Sequence, residues 1–80
     1  MTVQSTFTKR YDKFIEALTT ARMAQEILPH ELGEMIGDKP GSYVTDYERG
    51  VKRIGIIEFL TICDLLKKEP LQLLRNQGII

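Results

Sequence analysis

A short stretch in the middle of the chain carries the residues best suited to bind an anion. Between positions 39 and 53 lie four basic and two acidic side chains, and the basic ones are Lys39, Arg49, Lys52 and Arg53. Ammonium and guanidinium groups donate charge-assisted hydrogen bonds to phosphate oxygens. The cluster therefore predicts phosphate binding, and the alternative is a solvated basic loop that has no ligand.

Catalytic and metal-binding groups are scarce elsewhere in the sequence. The chain has one His, His30, and one Cys, Cys63, whereas a zinc site needs several such ligands. Neither Ser5 nor Ser42 has a base beside it, and no phosphate-loop or dinucleotide-binding glycine motif occurs. We therefore expect no enzyme activity, no metal and no cofactor, and we interpret Cys63 as a small core side chain.

The composition predicts one small cytoplasmic domain. Eighty residues, of which 42% are apolar, suit a single core. A lone cysteine fits a reducing compartment, and the polar start of the chain lacks the apolar run of a secretory signal. We also expect no membrane partner, because no segment approaches the roughly 20 apolar residues of a span. The formal net charge of zero counts against nucleic acid as a partner, since such binders are usually basic.

Helical periodicity runs through the chain, without the alternation typical of strands. Steps of three and four between apolar residues predict a first helix over about 8–24. Pro29 suits the first position of a second helix, and Gly37 suits its end. A third short helix starts at about Pro40, with Val44 and Tyr47 as an inward pair.

Two more helices are predicted in the second half, within one domain over 8–75 that has tails at 1–7 and 76–80. The residues expected on the buried stripe of helix four are Ile56, Phe59, Leu60, Cys63 and Leu66, with Ile62 beside them. The corresponding residues of helix two are Leu32, Met35 and Ile36. Other apolar residues either cover a dimer interface or complete the core: Ile57, Leu65, Leu73, Leu74, Ile79 and Ile80.

A family resemblance rests on residues 37–50, whose sequence is G-D-K-P-G-S-Y-V-T-D-Y-E-R-G. This segment resembles the helix-turn-helix of the lambda-repressor/Cro-type (XRE) DNA-binding family, whose recognition helix ends in Glu-Arg-Gly or Glu-Asn-Gly. The preceding L-G-E-M-I-G resembles the family's Leu-Ala-Glu-x-Leu-Gly helix, with Gly33 where Ala is usual. The resemblance extends from about Tyr11 to Leu74 and implies an all-α, five-helix lambda-repressor-like domain.

The resemblance also implies roles for individual residues. It places the helix near 40–48 in the major groove of double-stranded DNA. The base-facing positions are Gly41, Ser42 and Asp46, with Tyr43 and Thr45 alongside. The phosphate contacts are Lys39, Arg49, Lys52 and Arg53, which position the protein without reading sequence. Tyr43 has two interpretations, stacking on a base or sugar and covering the edge of the core. Asp46 is a base reader, a solvated carboxylate or a partner of Arg49.

The family often buries an ion pair at positions that Arg22 and Glu48 occupy here. Arg22 lies on the otherwise apolar face of the first helix, where a charge without a partner would be costly. The resemblance therefore implies a structural Arg22–Glu48 pair that fixes how the first and third helices pack.

Three features depart from the family pattern. Leu28-Pro29 stands where Thr-Gln usually opens the first motif helix, so a phosphate-contacting Gln is missing. The turn over residues 38–40 is one residue longer than usual, and Asp46 brings a carboxylate to a position that usually reads bases. A recognition helix with so few long polar side chains predicts modest sequence preference.

These observations predict a sequence-specific, repressor-like transcriptional regulator that binds DNA as a homodimer. The alternative from a different class is a helical protein–protein interaction module, such as an antitoxin-type partner binder. The missing Gln and the zero net charge both favour that alternative.

Overall fold

Five helices make up the part of the chain that the computed structural model describes, residues 6–80. They are α1 (Thr6–Ala24), α2 (Pro29–Gly37), α3 (Gly41–Glu48), α4 (Ile56–Leu65) and α5 (Pro70–Asn76), and no strand occurs in this range. The all-α, five-helix prediction is confirmed at this level. Because α1 begins at Thr6, positions 6 and 7 are helical; the rest of the predicted tail, residues 1–5, lies outside the described residues.

Local signals in the sequence set the helix starts. Pro29 is the first residue of α2 and Pro70 the first of α5, where the missing N–H costs no intrahelical hydrogen bond. Two glutamates at the third helical position accept the N–H of the residue before the helix. Glu31 accepts from Leu28 at 2.8 Å, and Glu58 accepts from Gly55 at 3.0 Å. Each carboxylate satisfies a donor that has no partner within its helix.

The core forms where α1 meets the shorter helices. Its largest fully buried side chains are Leu18, Leu32, Val44, Tyr47, Phe59, Ile62, Cys63 and Leu66. The predicted inward pair of α3 is therefore confirmed. Burial raises the pKa of the Cys63 thiol to about 11, as expected for the core side chain that the sequence predicts.

The predicted buried stripe of α4 is partly wrong. Ile56 and Leu60 are 65% and 42% exposed, whereas Ile62 is 1% exposed. Apolar residues occupy nearly every side of this helix, so its periodicity fits several stripes equally well. Ile54, just before the helix, is buried in the core.

Two other apolar predictions are also corrected. Met35 of α2 is 44% exposed, because the buried side of this helix centres on Leu32 and Gly33. Leu73 is buried, and two further residues of the proposed dimer set, Leu65 and Leu74, pack partly buried against the core. Of the other residues in that set, Ile57 and Ile80 are largely exposed and Ile79 is half-buried. The Ile79 carbonyl accepts a hydrogen bond from the Arg10 guanidinium of α1.

Candidate functional site

Backbone contacts with α2 position the first turn of α3. Asp38 has a left-handed backbone conformation, φ 57°, and the N–H of Lys39 donates to the carbonyl of Gly33 at 2.9 Å. A Cβ atom on Gly33 would lie 3.0 Å from the Pro40 carbonyl oxygen and nearer still to that of Lys39. The turn thus crosses α2 so closely that only glycine fits at position 33.

An ion pair positions the last turn of α3. Arg22 Nε donates to one carboxylate oxygen of Glu48 at 2.8 Å, and its second nitrogen donates to the other oxygen at 3.1 Å. The third guanidinium nitrogen donates to the carbonyl of Ile27 at 2.7 Å. The two side chains are 11% and 10% exposed. The pair that the family resemblance implies is therefore present, and it joins α1, the chain before α2, and α3.

The residues predicted to face DNA bases differ in exposure. Ser42 is exposed, while Thr45 and Asp46 are half-buried. The Thr45 hydroxyl donates to the carbonyl of Ser42 at 3.3 Å. A Cβ atom on Gly41 would lie 3.2 Å from the Cβ atom of His30, so this position faces the start of α2. Ser42 is thus the exposed member of the predicted base-facing set.

Tyr43 contacts α4 and lies close to two lysines. Its hydroxyl donates to the carboxylate of Glu58, whose other oxygen accepts the Gly55 N–H. Lys39 Nζ lies 5.6 Å from the centroid of the Tyr43 ring, and Lys52 Nζ lies 5.2 Å from it. Both distances are within the range of cation–π attraction. The ring thereby brings together two cations that are far apart in sequence.

The pKa values of Tyr43 and Glu58 are shifted in opposite directions. Burial, together with the hydrogen bond to Glu58, raises the pKa of Tyr43 to about 12. The hydrogen bonds from Tyr43 and Gly55 lower the pKa of Glu58, and the charges of Lys52 and Lys39 lower it further. At neutral pH the hydroxyl therefore keeps its proton and donates it to an ionised carboxylate.

The two arginines of the predicted phosphate-binding set lie toward α1. The guanidinium carbon of Arg53 is 4.3 Å from the centroid of the Tyr11 ring, and the Tyr11 hydroxyl accepts the N–H of Ile54 at 3.2 Å. Arg49 is exposed and lines a shallow groove beside Glu16 of α1. The four predicted cations therefore form two separate groups, the lysines at Tyr43 and the arginines near α1.

Sequence reasoning missed Glu58 and Tyr11 as parts of this surface. A Glu three residues after the residue that caps a helix start is a capping signal, so the hydrogen bond from the Gly55 N–H to Glu58 could have been predicted from the sequence. The hydroxyl of Tyr43 is a partner that no local pattern indicates, since the two residues belong to different helices.

Metal-ligating clusters and membrane-spanning helices are both absent from residues 6–80. No group of three or more His, Cys, Asp or Glu side chains in this range is placed to hold a metal ion. None of its helices has the length and apolarity needed to cross a bilayer. A comparison with protein-family models, curated proteins and solved structures found no match to this chain.

Proposed function

We propose that the protein is a repressor-like transcriptional regulator of the lambda-repressor/Cro type, with α3 as the helix that enters the major groove of DNA. The observation that carries the proposal is the arrangement around α3. The helix exposes Ser42 near its start, while a tight turn attaches it to α2 and an ion pair attaches it to α1. In helix-turn-helix proteins the first helix braces a second helix whose N-terminal residues contact base edges.

The charges around α3 support the same proposal. None of Lys39, Arg49 and Lys52 has a carboxylate oxygen within 4.0 Å among the described residues, so these cations are available to a ligand. Tyr43 and Arg49 are six positions apart, which separates them by about 120° around the helix axis. Ser42 and Arg49 are seven positions apart, or about 20° around the same axis. Arg49 therefore lies in line with Ser42, just beyond the C-terminal end of α3, and the lysine group lies to one side of that line.

The chemistry of α3 suits modest sequence preference. Ser42 is a short side chain that pairs with more than one base, and the Thr45 hydroxyl is already engaged with the Ser42 carbonyl. Asp46 is half-buried and repels phosphate, so we assign it no attractive contact with the backbone of DNA. We therefore propose that backbone phosphates supply most of the affinity.

A homodimer would double these contacts and match a two-fold operator with half-sites about 34 Å apart. Exposed apolar side chains on α4 support contact with another protein chain. Ile56 and Ile57 are 65% and 71% exposed, and Leu60 is 42% exposed. The same residues support the second candidate, a module that binds a partner protein. The zero net charge is the further observation in favour of that candidate.

Binding to mixed-sequence genomic DNA fragments at low and moderate salt separates the two candidates. We expect affinity that falls steeply with salt, because released counterions drive association with phosphates. Lys52→Gln should weaken binding to every fragment, whereas the matched control Lys68→Gln, in the turn between α4 and α5, should have a much smaller effect. Folded protein that shows no salt-dependent binding would overturn the DNA-binding proposal.

A further inference from the structure

We infer that Lys39, Tyr43 and Lys52 form one preorganised clamp for phosphate groups of a nucleic-acid backbone, and that Glu58 is its positioning residue. The inference rests on the proposed function and deepens it. It moves Tyr43 from the predicted base-facing set to the phosphate contacts, and it gives a role to Glu58, an acidic residue that a basic DNA-binding surface would otherwise be expected to exclude.

The first step is the geometry of the two lysines. A lysine ammonium sits on a flexible stem, and ordering that stem on binding costs free energy. Here both ammonium groups lie within 5.6 Å of one ring centroid, so the ring restrains them before any ligand arrives. A clamp that is ordered in advance binds more tightly than two mobile lysines with the same charge.

The second step is the way the ring is held. Tyr43 is half-buried, its ring packs in a T-shaped arrangement with the Tyr47 ring at a centroid distance of 6.0 Å, and its hydroxyl donates to Glu58. Glu58 is itself held by the N–H of Gly55 at the start of α4. The position of the ring is thus tied to the backbone of a second helix through one carboxylate.

The third step is charge. Both oxygens of Glu58 are occupied, one by Tyr43 and one by Gly55, and neither makes an ion pair within 4.0 Å with Lys39 or Lys52. Two cations and one carboxylate leave the cluster with one net positive charge that faces solvent. An anion with several oxygen acceptors, such as a backbone phosphate, matches that surface.

The clamp makes a prediction that charge alone does not. Removing a carboxylate beside two DNA-binding lysines should strengthen binding if only net charge matters. If Glu58 positions the ring, Glu58→Gln should instead weaken binding to a mixed-sequence DNA duplex by about three- to tenfold. Glu31→Gln is the matched control, because Glu31 also accepts an N–H at a helix start but has no tyrosine partner. We expect its binding to be unchanged or slightly tighter.

Tyr43→Phe tests the same contact without any change of charge. The ring stays and the hydroxyl is lost, so we expect binding to weaken by about three- to tenfold for all sequences. Tyr47→Phe is the control, since it makes the same chemical change on the same helix at a hydroxyl that has no partner among the described residues. Circular-dichroism melts of each variant verify that the fold is retained.

A double-mutant cycle on the same duplex separates positioning from general destabilisation. Within the clamp, Lys52→Gln should cost less affinity in the Tyr43→Phe background than in the wild-type chain. Outside the clamp, Arg49→Gln should cost the same in both backgrounds. The clamp proposal is overturned if the effects of Tyr43→Phe and Lys52→Gln are additive, or if the Glu58→Gln and Glu31→Gln variants bind equally well. Neither result contradicts the proposed function. Absence of salt-dependent binding by the wild-type chain overturns the proposed function, and the clamp with it.

Discussion

The two ends of α3 are held by different means. At the N-terminal end the holding contacts are between backbones, since the turn after α2 lies directly over Gly33 and Gly41 lies against His30. At the C-terminal end they are between side chains, because the Glu48 carboxylate accepts hydrogen bonds from two nitrogens of Arg22. The first kind of contact needs small residues, and the second needs a particular pair of charges.

This difference decides which side chains remain for a ligand. Because backbone contacts attach the first turn, Lys39 and Ser42 are not needed to hold it and stay exposed. Glu48 is instead committed to Arg22 and almost fully covered. The half of α3 that is fastened through its backbone is therefore the half that we propose contacts DNA.

The largest expected effect on stability comes from the ion pair at the C-terminal end of α3. Arg22→Met should lower the free energy of unfolding by about 3–5 kcal/mol, because Glu48 is left as a charge with no partner in a mostly buried place. Urea unfolding measures this change. The double variant with Glu48→Leu should recover much of the loss, since it removes both charges together. An unchanged midpoint in Arg22→Met would mean that the ion pair does not hold α3.

The next largest effect on stability is expected at Gly33, where the turn before α3 crosses α2. Alanine normally stabilises a helix by about 1 kcal/mol relative to glycine. Gly33→Ala should nevertheless destabilise the fold by about 1–3 kcal/mol, because the methyl group meets the carbonyls of Lys39 and Pro40. Glu34→Ala, at the exposed neighbouring position, is the control and should change stability little. A more stable Gly33→Ala variant would show that the turn does not lie over α2.

A smaller effect of opposite sign is expected beside the ion pair. The Tyr47 hydroxyl is buried without a partner among the described residues, and this burial raises the pKa of Tyr47 far above its ordinary range. Tyr47→Phe should therefore raise stability by about 1 kcal/mol. Tyr11→Phe should do the reverse, because the Tyr11 hydroxyl accepts the N–H of Ile54. Thermal melts of the two variants that shift in the same direction would contradict this assignment.

The smallest effect concerns the pH dependence of the contact between α3 and α4. The pKa of Glu58 is lowered in the folded protein, chiefly by the hydrogen bond from Tyr43. Its stabilising contribution is therefore present above the unfolded pKa and is lost as the pH falls through the folded pKa. We expect less than about 1 kcal/mol from this partly exposed group. Melting temperatures between pH 6 and 3 should fall less in Glu58→Gln than in the wild-type chain, and parallel curves would argue against the contact.

Much of the fold was predictable because helix ends depend on local chemistry. The start of α2 at Pro29 agrees with the sequence pattern, as does the inward pair of α3. The stripe of α4 was not predictable in the same way. An apolar residue at nearly every position leaves the periodicity ambiguous, and only the packing neighbours decide that Ile62 is buried and Ile56 is not.

By itself, the sequence determined the all-helical class, the approximate helix boundaries and, through the family resemblance, the Arg22–Glu48 pair. These depend on capping, proline geometry and the cost of an unpaired charge on an apolar face. Only the tertiary structure decided that Lys39 and Lys52 meet at the ring of Tyr43 and that Glu58 holds its hydroxyl. The physical reason is that these contacts join three separate parts of the chain, whose relative positions are set by how α2, α3 and α4 pack.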